Sequence, residues 1–218
     1  MTSGNLLALL NAWTLLDLLG IGLLALGIGL PPGWKARSVR GVERPAFEIA
    51  KDGADPIVRI HGTGQAAWFY RPVKEPLAQD HRLHWSWRVL QAPEGAAFND
   101  RARDDSPIRV YVAFGKLGGL FGGSGRVIFY SFSGNDSTGY SAPSHVNTRI
   151  HVIGVDGPAA IGSWREHEVD PIADYRRIWG REPEPITAIG LMQDTDQTRQ
   201  AAVAEVRRLE WAAALPPR

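Results

Sequence analysis

Two alternating runs constrain this chain more than any other feature of it. Leu83, Trp85, Trp87 and Val89 alternate with His84, Ser86 and Arg88, and Ile108, Val110, Val112 and Phe114 alternate with Arg109, Tyr111 and Ala113. A period of two held over seven residues buries one face of a strand, whereas a helix repeats at 3.6 and would scatter the same side chains around its axis. Shorter runs follow the same rule at 46–49, 56–61, 65–72, 126–132, 148–155, 187–192 and 204–211, and WREHEV (164–169) reads as a polar strand. Turn formers separate them, with Lys51-Asp52-Gly53 the clearest. Strands do not alternate with helices, and 24 Gly and 15 Pro suit a turn-rich chain. The fold class predicted is mainly β: a jelly-roll-type antiparallel β-sandwich of two sheets.

One helix interrupts the strands. Asp170 suits the N-cap, Pro171 the first helical position and Gly180 the left-handed position after the end. Ile172, Tyr175 and Ile178 or Trp179 fall on one face at helical spacing, so a short helix at about 170–180 is predicted to pack on the sheets. Residues 1–30 are the most apolar part of the chain, and Pro31-Pro32-Gly33 ends that run. The uncharged LLGIGLLALGIGL core suits a signal peptide or an anchor. Against that stand the missing basic residues before it and Asp17, which would cost roughly 2.5–3.5 kcal/mol at a membrane centre. A first element packed on the domain is the other reading. The expected organisation is an apolar N-terminal segment (1–30), one sandwich domain (31–212) and a tail (213–218). A cleaved or anchoring segment places the domain in the periplasm or outside the cell, with the membrane reached only through residues 1–30.

Composition excludes several classes of function. With 24 Lys and Arg against 23 Asp and Glu there is no basic footprint for nucleic acid. The absence of Cys removes disulfides, thiolate metal sites and a cysteine nucleophile. No Gly-x-Ser-x-Gly elbow is present, and the glycine-rich KLGGLFGGSG (116–125) lacks the Lys-Ser/Thr ending of a phosphate loop, which leaves it a connection. Eight Trp residues are core filling or, in part, a stacking platform for a ligand.

Candidate binding groups cluster around the two alternating strands. If their apolar sets face one core, Arg88, Arg109 and Tyr111 share the opposite face beside the acidic loop carrying Asp104 and Asp105. Adjacent aspartates diverge on an extended chain, so ion pairing to Arg88, Arg103 or Arg109 suits them better than paired-carboxylate catalysis. Asp194 and Asp196 in QDTDQT could hold a hard cation such as a structural calcium, or could simply make turn hydrogen bonds. Trp164 and Glu166 belong to WREHEV, where His167 between Glu166 and Glu168 is either acid–base machinery or a solvated edge strand. No catalytic residue is assigned, no cofactor is expected, and binding ranks above catalysis because no acid–base pair emerges.

Four ordered stretches carry a resemblance: WSWRV (85–89), RDDSPIRVYVAF (103–114), DYRRIWG (174–180) and LMQDTDQT (191–198). They resemble the signature stretches of the bacterial family known as domain of unknown function 3047, in order and over most of the chain from Pro31 to Trp211. That family's pattern at the last stretch is Thr-Asp-Thr-Asp-Asn-Thr-Gly, from which Gln193, Gln197 and Arg199 depart. The resemblance implies an exported β-sandwich with no established activity. More distantly, the layout is similar to galactose-binding-like jelly rolls that serve as carbohydrate-binding modules. The implied function is a noncatalytic module binding a carbohydrate or other small polar ligand on a sheet face. A glycoside hydrolase or lyase, or a structural envelope protein, are the alternatives.

Overall fold

The structure, a computed structural model, describes residues 30–74, 76–116, 124–135 and 138–214. The readings of residues 1–29, of most of the glycine-rich connection and of the last four residues lie outside the described residues. Among the described residues, twelve strands and one α-helix follow in order. A seven-stranded sheet contains, from edge to edge, β1 (Lys35–Ser38), β4 (Ala66–Pro72), β11 (Ile186–Asp194), β6 (Ser106–Phe114), β7 (Arg126–Phe132), β9 (Ile150–Asp156) and β8 (Ser141–Pro143). A five-stranded sheet contains β10 (Arg165–Val169), β5 (His81–Gln91), β12 (Ala201–Ala213), β3 (Asp55–Thr63) and β2 (Ala46–Asp52). All neighbours are antiparallel except β7 and β9, which run parallel because β8 and its loops intervene. The result is the jelly-roll sandwich expected from the alternating runs.

The inter-sheet core follows from the period-two sets. Leu83, Trp85, Trp87 and Val89 of β5 meet Ile108, Val110, Val112 and Phe114 of β6 in one buried cluster with Trp34, Phe69, Tyr130, Val206 and Trp211. The helix α1 (Pro171–Trp179) caps this core with Ile172 and Tyr175. Its N-cap Asp170 Oδ1 accepts from the amides of Ile172 (3.1 Å) and Ala173 (2.9 Å), and Gly180 closes it at φ 63°. Asp156, 4% exposed, ties the two sheets together. It accepts from Trp87 Nε1 at 2.7 Å and lies 2.8 Å from His167 Nε2, while the His167 ring stacks on Trp85.

The shared outer face expected of the two alternating runs does not form. Strands β5 and β6 do not share a sheet: the loop 92–105 carries the chain across the sandwich, from the five-stranded to the seven-stranded sheet. Their apolar sets therefore face each other, and their polar sets point away on opposite outer surfaces. Arg88 lies on one outer face, and Arg109 and Tyr111 on the other. Within one sheet, equal parity places residues on the same face; across a sandwich it places them back to back.

Candidate functional site

The outer face of the five-stranded sheet is built from charge. Glu205 of β12 is fully buried there and accepts from Arg59 Nη2 at 2.7 Å and Arg88 Nε at 2.8 Å. Arg88 also reaches Asp52 Oδ1 at 3.2 Å, and Asp52 Oδ2 accepts from Trp164 Nε1 at 2.9 Å. That indole bond, with the Arg88 charge, holds the Asp52 carboxyl below its ordinary range despite some burial. The Trp164 ring is covered by the guanidiniums of Arg88 (4.8 Å) and Arg207 (4.3 Å). Strand parity puts Glu166 on this same face, paired with Ser86. His167 points to the other side, onto Trp85, so the strand does not assemble His167 with its flanking glutamates.

The remaining expected residues gather at one end of the seven-stranded sheet. Arg109 Nη2 donates to Asp104 Oδ1 at 2.9 Å, one of the three arginine pairings open to that acidic loop. Asp105 accepts instead from the amides of Gln197 (3.2 Å) and Thr198 (2.8 Å) and from the Thr198 hydroxyl. It thereby fastens the 92–105 loop to the turn after β11. Asp194 and Asp196 lie beside it. Burial pushes the Asp194 carboxyl well above its usual range against the opposing charge of Arg109, and the charges of Asp196 and Asp105 and the contact with the Asp196 carboxyl push it further.

Between that end and the opposite rim, the outer face of the same sheet is apolar and aromatic. Tyr111 and Ala113 of β6, Val127 and Phe129 of β7, Val152 of β9 and Met192 of β11 form a second cluster, with Trp68 and Tyr70 of β4 against it. Trp68 packs at 5.0 Å from both Tyr111 and Phe129. The Tyr111 ring packs against Gly190, where nothing larger fits: a Cβ there would strike the Phe69 carbonyl oxygen and come within 2.7 Å of Tyr111 Cζ. Burial raises the Tyr111 hydroxyl pKa well above its ordinary value, so the phenol stays protonated. From this floor opens a groove of about 620 Å³, in the size range of small-ligand sites. Half-buried Trp68 and Tyr70 line it, with Arg37, Lys116, Asn147, Arg149, Glu184 and Thr187 on its walls.

Of the residues picked from the sequence, only Tyr111 lines this groove. Trp68 and Tyr70 escaped because AAWFYRP is apolar at every position from Ala66 to Tyr70, which hides the face each ring takes. The signal lay in that very excess: a strand apolar on both faces has both faces covered or in use.

The fold and groove define an antiparallel-rich jelly-roll sandwich with an aromatic cleft on one sheet face. The chain belongs to the family described as "Protein of unknown function (DUF3047)", whose model matches residues 32–210. No curated protein matches it. Among solved structures it is similar to a family 11 carbohydrate-binding module from Clostridium thermocellum in complex with a β-1,3-1,4-mixed-linked tetrasaccharide. That similarity has 13% identity and a TM-score of 0.48, covering 88% of this chain and 95% of the other. It is also similar to the xyloglucanase domain of a type three effector from Sinorhizobium fredii (12% identity, TM-score 0.44, 85% and 96% covered). A family GH12 endoglucanase from Trichoderma harzianum follows at 7% identity and a TM-score of 0.39, with 85% and 100% covered. At these values the neighbours carry no functional argument, which rests on the groove itself.

Proposed function

We propose that the chain is a noncatalytic β-sandwich module that binds a carbohydrate, or another small polar ligand, in the groove of the seven-stranded sheet. The observation that carries this reading is the pair Trp68 and Tyr70, half-buried on adjacent outward positions of β4 over the Tyr111 floor. Sugar rings offer apolar C–H faces to aromatic planes and hydroxyls to forked donors, and the walls supply Arg37, Arg149, Lys116 and Asn147 for the latter. Among the described lining residues Glu184 is the single carboxylate. Hydrolysis of a glycosidic bond ordinarily needs two, so binding without turnover is the better fit.

A glycan array followed by calorimetry on any hit tests this. Trp68→Ala removes a central aromatic anchor and is expected to weaken binding by about 30-fold, the loss typical of a hot-spot residue. Glu166→Ala, on the other outer face, should leave binding unchanged. Release of reducing ends or unsaturated product from a hit would replace the module reading with an enzyme. Binding that survives Trp68→Ala and Tyr70→Ala would move the site away from this groove.

A further inference from the structure

We propose that Asp105, Asp194 and Asp196 form a binding site for one hard divalent cation of the calcium class, at the end of β11 beyond Met192, whose neighbour across the sheet is groove-lining Trp68. One carboxylate oxygen from each residue lies within 4.8 Å of the other two. Oxygens that share a calcium at 2.3–2.6 Å can be no more than about 5 Å apart, so the three fit around one ion.

A second observation, separate from the clustering, points to a missing partner. Asp194 is 9% exposed, and its Oδ1 is buried with no hydrogen-bond partner; Oδ1 of Asp196 is in the same condition. A buried carboxylate oxygen without a donor costs several kcal/mol unless something neutralises it. The Arg109 guanidinium beside the cluster offsets part of this charge, but it gives its Nη2 to Asp104, both to the side chain and to the backbone oxygen, and its Nε reaches no carboxylate. Asp105, by contrast, is already oriented by Gln197 and Thr198, as a metal ligand is by the groups behind it. Half-exposed Asp196 leaves a path for the ion and for the waters that complete a six- to eight-oxygen shell.

The ligands come from two segments, the end of the 92–105 loop and the turn after β11, so the ion would clamp both to the sheet. Oxygen-only ligands drawn from two loops suit calcium better than magnesium, which demands near-ideal octahedral geometry. The site is structural, and its failure would leave the groove reading intact.

Calcium titration of the chelator-treated full chain decides the matter, read by thermal unfolding and calorimetry. One calcium per chain is expected, with Tm raised by roughly 5–10 °C at a hundredfold excess over Kd. Asp194→Asn and Asp196→Asn should each abolish that rise. Asp100→Asn, which touches only Arg103 and the Ala102 amide of its own turn, should retain it. Should Asp194→Asn fail to fold, half-exposed Asp196 carries the test alone. No calcium-dependent shift in the natural chain would overturn the proposal and leave a proton as the neutralising partner. A shift that persists in both variants would overturn it equally.

Discussion

Replacing Glu205 by Ala removes the acceptor shared by two guanidiniums on the five-stranded sheet. The Glu205 side chain is fully buried, whereas those of Arg59 and Arg88 retain 38% and 22% of their exposure. Breaking a buried pair costs about 3–5 kcal/mol when the survivor is stranded. Here Arg59 can turn to water and Arg88 keeps Asp52 at 3.2 Å, so the lower end, about 3 kcal/mol, is the working figure. For a domain of this size that lowers Tm by roughly 6–12 °C. Arg59→Ala leaves Glu205 with Arg88 and breaks only a pair that reaches solvent, for at most about 1 kcal/mol. In the Glu205→Ala background, Arg59→Ala should cost almost nothing further, since its partner is gone. Denaturant unfolding of the two single variants and the double variant gives all three numbers. Equal losses in the single variants, or strict additivity in the double, would refute the idea that Glu205 is the hub of this face.

Acid should weaken the tie between the sheets. Burial favours the protonated form of Asp156, but hydrogen bonds from His167 and Trp87 and the charges of His167 and Arg165 outweigh it, leaving the carboxyl below its ordinary value. A depressed carboxyl adds stability above its unfolded pKa of about 3.9 and loses it as pH falls through the folded value. Asp156→Asn is therefore expected to be less stable than the natural chain at pH 7 and to approach it below pH 3, by Tm against pH; parallel curves would contradict this. Arg199 offers the opposite kind of change. It sits at φ 56°, a left-handed conformation that glycine adopts at little cost, and Arg199→Gly should raise stability by up to about 1 kcal/mol by denaturant unfolding. A loss of stability would mean that the Arg199 side chain contributes more than its backbone strain costs.

What the sequence revealed depended on whether a segment's role is written in its own side chains. The apolar sets of β5 and β6 emerged because Trp85, Trp87, Val110 and Val112 must be buried whatever lies opposite. The edge strands β1 and β8 did not: KARS and SAP bury little and are held by backbone pairing to β4 and β9, which leaves no side-chain period to read. The shared face of Arg88 and Arg109 failed for a different reason. Parity gives the face of a strand but not the sheet it joins, and only the path of the 92–105 loop decides that. The acid cluster was half legible. Asp194 and Asp196 declare themselves by alternate spacing on one turn, whereas Asp105 joins them only after the loop has folded onto it.

The two outer faces of the sandwich solve the same problem in different ways. A face that looks outward must satisfy its polar groups and cover its apolar ones. At the centre of the five-stranded sheet the charged groups are satisfied internally: Glu205 accepts two arginines, Asp52 takes Arg88 and the Trp164 indole, and two guanidiniums cover the Trp164 ring. A sugar arriving there would have to break charge-assisted bonds of 2.7–2.9 Å to gain new ones. On the seven-stranded sheet, Phe98 and Tyr140 from the loops cover the Arg109 end, where Arg109 lies over Phe98 and Phe129. The other end is left open, with Trp68 and Tyr70 still partly wetted. Burying what remains exposed of those two rings releases water without disturbing an existing bond, at about 25 cal/mol per Å² of apolar surface covered. The face that the fold leaves unfinished is thus the one where a ligand gains most.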